Sequence, residues 1–106
     1  MKFLILEDNP YGDLRFEGDA IPSMKSLDQD GLVIYAASLS KIIAPGMRVA
    51  CCIGPEEIVN KFTVAKQASD VHSNLWAQKV MARYLTEYDM DAHIQSIQKI
   101  YKDKCQ

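Results

Sequence analysis

The sequence predicts an α/β fold of about three strands followed by about three helices, and three observations carry that expectation. The run Leu32-Val33-Ile34-Tyr35-Ala36-Ala37 is continuously apolar and bounded by turn residues, which reads as a buried strand. Shorter apolar stretches at residues 3–6 and 49–53 stand on either side of it, each next to a turn signal. From Gly54 onward the apolar residues recur at helical spacing.

In chain order, residues 3–6 read as a short buried strand. Glu7-Asp8-Asn9-Pro10-Tyr11-Gly12-Asp13 ends it, because Asx residues, Pro and Gly mark a turn. A carboxylate at the C-terminal end of a parallel strand is where open α/β sheets place ligand groups. Arg15 is expected to be a solvated salt-bridge partner rather than an anion ligand. Residues 19–31 read as a surface loop with Pro22, Asp19, Asp28 and Asp30, tacked to the body by Ile21, Met24 and Leu27 and carrying no chemistry. Residues 49–53 form a third strand of small apolar residues. Cys51 and Cys52 point to opposite faces of it, so a bridge between them would be strained and both read as small buried hydrophobes.

Gly54-Pro55-Glu56-Glu57 opens the first long helix, with Pro at the first helical position and acids at the positive end. Ile58, Phe62, Ala65 and Ser69 share one face, Val59 lies alongside, and the helix ends near Asp70. Ser73 or Asn74 caps the next helix, whose apolar stripe is Ala77, Val80, Met81, Tyr84 and Leu85. Asp89 or Asp91 caps the last, which carries Ile94, Ile97 and Tyr101, with Lys99, Lys102 and Lys104 near its negative end. His72 and His93 are expected to be exposed or satisfied structural histidines, and Trp76 an interface or core aromatic.

The chemistry concentrates where the central strand stops. Ser38-Leu39-Ser40-Lys41 follows it, and Arg48 comes seven residues after Lys41, past the Pro45-Gly46 turn. Two hydroxyls and an arginine suit a phosphate, since Ser donates neutral hydrogen bonds and Arg a charged fork. A lysine beside them can attack a carbonyl and form a Schiff base. Together these residues describe a pyridoxal 5'-phosphate (PLP) site.

The stretch from Ser38 to Arg48, with its Ala44-Pro45-Gly46-Met47-Arg48 tail, resembles the lysine motif of the fold-type I PLP-dependent aminotransferases. These form the aspartate-aminotransferase superfamily, class I/II, and the likeness is to its 2-aminoadipate and kynurenine type. Asp8 and Tyr11, about thirty residues earlier, match the same family's Asp-x-x-Tyr pattern. The resemblance implies that Lys41 holds the cofactor as a Schiff base and that its freed amine later serves as the base for a proton shift. It implies that Ser38, Ser40 and Arg48 grip the phosphate, that Asp8 pairs with the protonated pyridine nitrogen, and that Tyr11 bonds the ring oxygen. It further implies a mixed sheet with the third strand antiparallel, amino acid and 2-oxo acid substrates, and a homodimer whose interface includes residues 66–74.

The resemblance covers nearly all of residues 1–106 but only part of the family's large domain. The chain is therefore expected to be a partial one, its last helix leading toward a C-terminal small domain, and inactive alone. The runner-up is the PLP-sensing domain of a winged-helix transcription regulator. Those tend to read Glu-Asp-Asp-Tyr at the strand end, so Glu7-Asp8-Asn9-Pro10-Tyr11 favours the enzymes. A bare α/β module without a ligand is a third reading.

Composition agrees with an ordinary globular chain: 48% hydrophobic, 25% charged, net charge −2. The mild acidity argues against nucleic acid as a partner. No apolar run reaches the ~20 residues of a membrane helix, and the run from Met1 to Leu6 is too short for a signal peptide. Three cysteines, two of them adjacent and none at metal-ligand spacing, imply reduced thiols, no metal and a cytoplasmic chain.

Overall fold

The computed structural model describes residues 3–105. Met1 and Lys2, which enter the signal-peptide argument, lie outside the described residues. A three-stranded sheet runs in the order β1 (Ile5–Asp8), β2 (Val33–Ser38), β3 (Ala50–Ile53). β1 pairs parallel to β2, with Ile5 opposite Val33 and Asp8 opposite Ala36. β3 pairs antiparallel, with Tyr35 opposite Ile53 and Ser38 opposite Ala50. A short helix α1 (Met24–Leu27) lies in the β1–β2 connection. Three longer helices follow the sheet: α2 (Glu56–Ser69), α3 (Leu75–Glu87) and α4 (Met90–Cys105). The α/β class, the mixed sheet and the three trailing helices are as expected.

β2 is the best-covered strand. Consecutive residues of a strand face opposite ways, and its Val33 and Ile34 are both buried, Val33 at 4% exposure. Both faces of the sheet are therefore covered at the start of β2. Ala77 and Met81 of α3 are the other buried apolar residues among those described, Met81 at 2%.

Several expectations are corrected. The first strand lies two residues later than residues 3–6, and it is half-exposed, with Leu6 65% exposed. The small residues of β3, including Cys51 and Cys52, face solvent, because β3 is an edge strand and no described element covers it. Pro55 takes the cap position just before α2, not the first helical turn. Of α2's apolar face only Ile58 and Val59 are half-buried, and Phe62 is exposed. Asn74, not Ser73, caps α3 by accepting the Ala77 N–H at 3.1 Å. Asp89, not Asp91, caps α4 by accepting the Ala92 N–H at 3.0 Å.

The β1–β2 connection is held by polar groups rather than by its apolar residues. Ile21 is 85% exposed, and Met24 and Leu27 are exposed as well. Glu7 instead accepts the backbone N–H groups of Met24 and Lys25, each at 2.9 Å, at the start of α1. Asp28 accepts the N–H groups of Leu32 and Val33 at 3.0 Å each and bonds Lys25 Nζ at 2.9 Å, which anchors the first residue of β2. Arg15 makes no described salt bridge. It donates to the carbonyls of Glu17 and Gly18 and so clips the loop where Gly18 turns with φ +74°. A cationic fork beside two carbonyls satisfies both without a carboxylate partner.

The Asp28 carboxyl, its side chain only 3% exposed, is held well below the usual carboxylate range. The Leu32 N–H contributes most, then the Val33 N–H, then Lys25. A depressed folded-state value stabilises the fold above the unfolded value near 3.8, and that stabilisation is lost as pH falls through and below it. Urea midpoints are expected to fall from about pH 5 downward. Asp28→Asn is expected to lower the midpoint at pH 7 and to flatten the acid decline. An unchanged acid decline in the variant would show that Asp28 does not anchor β2.

Candidate active site

The sheet topology brings the two sequence motifs to one edge. β1 and β2 run parallel, so Asp8 and Ser38 both stand at C-terminal ends. β3 begins opposite Ser38, so the chain leading into it, with Arg48, returns to the same edge. This is the edge where open α/β sheets collect ligand groups.

Past Ser38 the chain makes a compact turn. Ile43 N–H donates to Leu39 O at 2.9 Å, and Leu39 N–H donates to Val49 O at 3.1 Å. Ser38 Oγ accepts the Ser40 N–H at 3.2 Å, and Ser40 Oγ accepts from Arg48 Nη1 at 3.4 Å. Arg48 Nη1 also donates to Pro45 O at 3.1 Å. Arg48 itself has φ 55°, in the left-handed region that a residue with a Cβ seldom adopts. That conformation turns the chain from the tight Pro45–Met47 turn toward β3. Such strain is of order 1 kcal/mol and persists where the surroundings hold it, often at a ligand clamp.

Lys41 is exposed at the crown of the turn, and its Nζ stands 5.4 Å from the centroid of the Tyr11 ring. Tyr11 reaches that place because the chain after β1 is tightly tied. Asn9 N–H donates to Ala36 O at 3.2 Å and extends the parallel ladder by one residue. Asn9 Oδ1 accepts the Gly12 N–H at 2.9 Å, and Asn9 Nδ2 donates to Tyr35 Oη at 3.3 Å. A cavity of about 970 Å³ opens beside it, lined by Leu6, Asp8, Tyr11, Arg15, Met24 and Tyr35 among others. Lys41 and Arg48 are not among the residues that line this cavity, whereas Tyr11, against which Lys41 stands, is.

Of the expected site residues, the structure links Ser38, Ser40 and Arg48 in one hydrogen-bonded set and places Lys41 against Tyr11. Asp8 stands exposed at the end of β1 without a described contact to either group. The donor set suits a phosphorylated carbonyl compound. The Ser40 hydroxyl still has its proton to donate, most of Arg48's five N–H groups remain unused, and an amine stands within the same turn.

Four further residues shape the site, and the sequence reading gave none of them a role there. Asn9 ties the Tyr11 turn by accepting the Gly12 N–H three residues on, a local Asn-to-backbone bond of the capping kind. Tyr35 answers Asn9 from β2. His93 of α4 contacts Ile42 O through Nε2 at 2.8 Å, and Gln98 of α4 donates to Asp13 O at 2.7 Å. These last two are 51 and 85 residues from their partners, and no local pattern signals them. His93 is a satisfied structural histidine, as expected, with Tyr84 edge-on at 5.9 Å. His72 contacts Ser73 O in its turn.

No family model matches the chain. The aromatic-amino-acid aminotransferase 1 of Thermococcus litoralis is 37% identical over 102 residues, which cover 96% of this chain and 24% of that enzyme. The solved kynurenine aminotransferase of Pyrococcus horikoshii, in complex with PMP, superposes with a TM-score of 0.92 at 40% identity over 95% of this chain and 25% of its own. The alpha-aminoadipate aminotransferase of Thermus thermophilus, solved with N-(5'-phosphopyridoxyl)-L-leucine, gives a TM-score of 0.89 at 30% identity over 95% of this chain and 26% of its own. An uncharacterized HTH-type transcriptional regulator of Bacillus subtilis, YdfD, is 32% identical over 100 residues, covering 92% of this chain and 20% of that protein. The chain spans about a quarter of the length of the curated aminotransferases it matches.

The fold is thus that of one stretch of the solved aminotransferases, a mixed three-stranded sheet followed by helices. These relatives and solved structures are aminotransferases, among them enzymes of the kynurenine and 2-aminoadipate type, and the chain is similar to about a quarter of each.

Gly12 tests the tie that places Tyr11. A Cβ added there would meet the Asn9 amide nitrogen at 2.5 Å, so Asn9 must give way and lose its bonds to Gly12 and Tyr35. Gly12→Ala is expected to cost about 1–2 kcal/mol in chemical denaturation. Adding it to Asn9→Ala is expected to cost little further. Full additivity of the two would show that they do not act through one contact.

Proposed function

We propose that the complete protein is an aminotransferase that moves an amino group between an amino acid and a 2-oxo acid, and that residues 1–106 are part of its PLP-binding large domain. One observation carries the reading: the amine of Lys41 stands over Tyr11 at the same sheet edge where Arg48 and Ser40 are joined.

The donor set fits PLP, with Ser38, Ser40 and Arg48 toward the phosphate, Asp8 toward the pyridine nitrogen and Tyr11 toward the ring oxygen. Bound there, the cofactor supplies a carbonyl carbon open to amines and a ring that accepts an electron pair. The chain's own residues do the rest. Lys41 Nζ would be the nucleophile toward that carbonyl carbon. When not bonded to the cofactor, the same Nζ would serve as the base that accepts and returns a proton at the substrate α-carbon. The Asp8 carboxylate holds a proton on the ring nitrogen. Arg48 and the two serines keep the phosphate fixed, so that Lys41 acts at a defined distance.

Further features fit a subunit of a homodimer. The connection after α2 has Val71 at φ 65°, a β-branched residue in the left-handed region, and Trp76 beyond it is exposed. Cys51, Cys52 and Cys105 are free and exposed. No helix of the described residues is long and apolar enough to cross a membrane. The competing reading is a PLP-sensing regulator domain, supported by the likeness to YdfD. Asn9-Pro10 between Asp8 and Tyr11 favours the enzyme.

Two outcomes test the reading. Borohydride reduction of the complete protein with PLP is expected to leave a pyridoxyl group on Lys41. A label on Lys25 or Lys66 and none on Lys41 would reject the site. The 106 residues alone, mixed with PLP, an amino acid and a 2-oxo acid, are expected to form no keto acid above background. Their site is open, and Leu6, Ile53, Phe62 and Trp76 lie uncovered, which favours self-association. Turnover near that of the complete protein would overturn this expectation.

A further inference from the structure

We propose that α4 is the positioning element of the site and that His93 is the positioning residue for Lys41. The inference rests on the function proposed above and adds a residue to it. A backbone carbonyl only accepts, so the 2.8 Å contact between His93 Nε2 and Ile42 O makes Nε2 the donor and fixes the ring's protonated nitrogen. Ile42 is the residue after Lys41, inside the turn that Ile43 N–H closes onto Leu39 O. The other described ties of residues 39–41, Leu39 to Val49, Ser40 to Ser38 and Arg48 to Ser40, lie on the N-terminal side of Lys41. His93 holds its far side, from a helix 51 residues along the chain.

The same helix also holds the other half of the site. Gln98 Nε2 donates to Asp13 O at 2.7 Å, in the 3-10 turn Gly12–Leu14 that follows Tyr11. Five residues of helix separate His93 from Gln98, a rise of about 7.5 Å. One rigid rod thus tethers the Lys41 turn and the Tyr11 turn, and the 5.4 Å between Lys41 Nζ and the Tyr11 ring spans the two tethered segments. The His93 ring is itself braced by Tyr84, and Tyr84 stacks on Tyr88 at 4.9 Å, so α3 sets the rotamer from behind. Lys41 is exposed on a six-residue excursion between strand and turn, and a reactive amine there loses rate if the turn drifts.

The test follows Lys41 capture rather than turnover alone. The complete, cofactor-free protein is mixed with a limiting concentration of PLP, quenched with borohydride at intervals, and the pyridoxyl label on Lys41 is mapped. The pH midpoint of the visible absorption of the lysine-bound cofactor is recorded in parallel. His93→Leu, which removes the donor, is expected to slow labelling of Lys41 about two- to tenfold, the worth of one lost hydrogen bond, and to shift the midpoint. His93→Gln, which keeps an N–H donor, is expected to restore most of both. If His93→Leu does not fold by circular dichroism, His93→Ser, a residue tolerated in a first helical turn, takes its place. Labelling rate and pH midpoint equal to wild type in a folded variant lacking the donor would overturn the inference and leave the function standing. Absence of Lys41 label in the wild-type protein would overturn the function itself.

Discussion

The pairing of β2 on both its edges is the constraint on which the rest depends. A strand in the middle of a sheet satisfies its backbone on two sides, and β2 does so with one parallel and one antiparallel partner. The parallel partner puts Asp8 at the same edge as Ser38. The antiparallel partner brings Arg48 back beside Ser38. With either pairing reversed, Arg48 or the strand-end carboxylate of Asp8 would stand at the opposite edge. Ser38, Ser40, Lys41 and Arg48 lie close in sequence, but Asp8 and Tyr11 join them only through this register.

What maintains the register is largely polar. Among the described residues only Val33, Ile34, Ala77 and Met81 are buried and apolar, which is a small core for a chain of 106 residues. Asp28 secures the first residue of β2, and Glu7 secures the connection that leads to it. Asn9 prolongs the β1 ladder and orders the turn that carries Tyr11. Charged acceptors on backbone N–H groups are among the stronger hydrogen bonds, and here they act where apolar burial is thin. The exposed Leu6, Ile53, Phe62 and Trp76 form the complementary observation. A surface of that kind is ordinarily covered by further protein, which agrees with a chain spanning a quarter of its relatives.

The site divides into a local and an assembled part. The local part is the turn from Ser38 to Arg48, where a serine, a second serine and an arginine are connected within eleven residues, with the left-handed φ of Arg48 fixing the return of the chain. The assembled part is the meeting of Lys41 with Tyr11, and it needs the sheet and α4 together.

The sequence by itself determined the class of fold, the central strand, the three trailing helices and the residues of the lysine turn, because each of these rests on local rules. Apolar runs, Pro-Gly turns, Asx caps and hydroxyl–lysine–arginine spacing are written in consecutive residues. It misplaced the first strand by two residues and took it, with β3, as buried, because burial depends on neighbours that periodicity does not name. It assigned the β1–β2 loop to apolar tacking by Ile21, Met24 and Leu27, whereas Glu7 and Asp28 hold it; a carboxylate reads the same whether it meets water or a backbone N–H. Only the tertiary structure decided that His93 and Gln98 of α4 reach the two turns of the site. Their partners are backbone carbonyls, which every residue carries, so side-chain identity gives no sign of the pairing, and contacts across 51 and 85 residues are made by the packing of the whole chain.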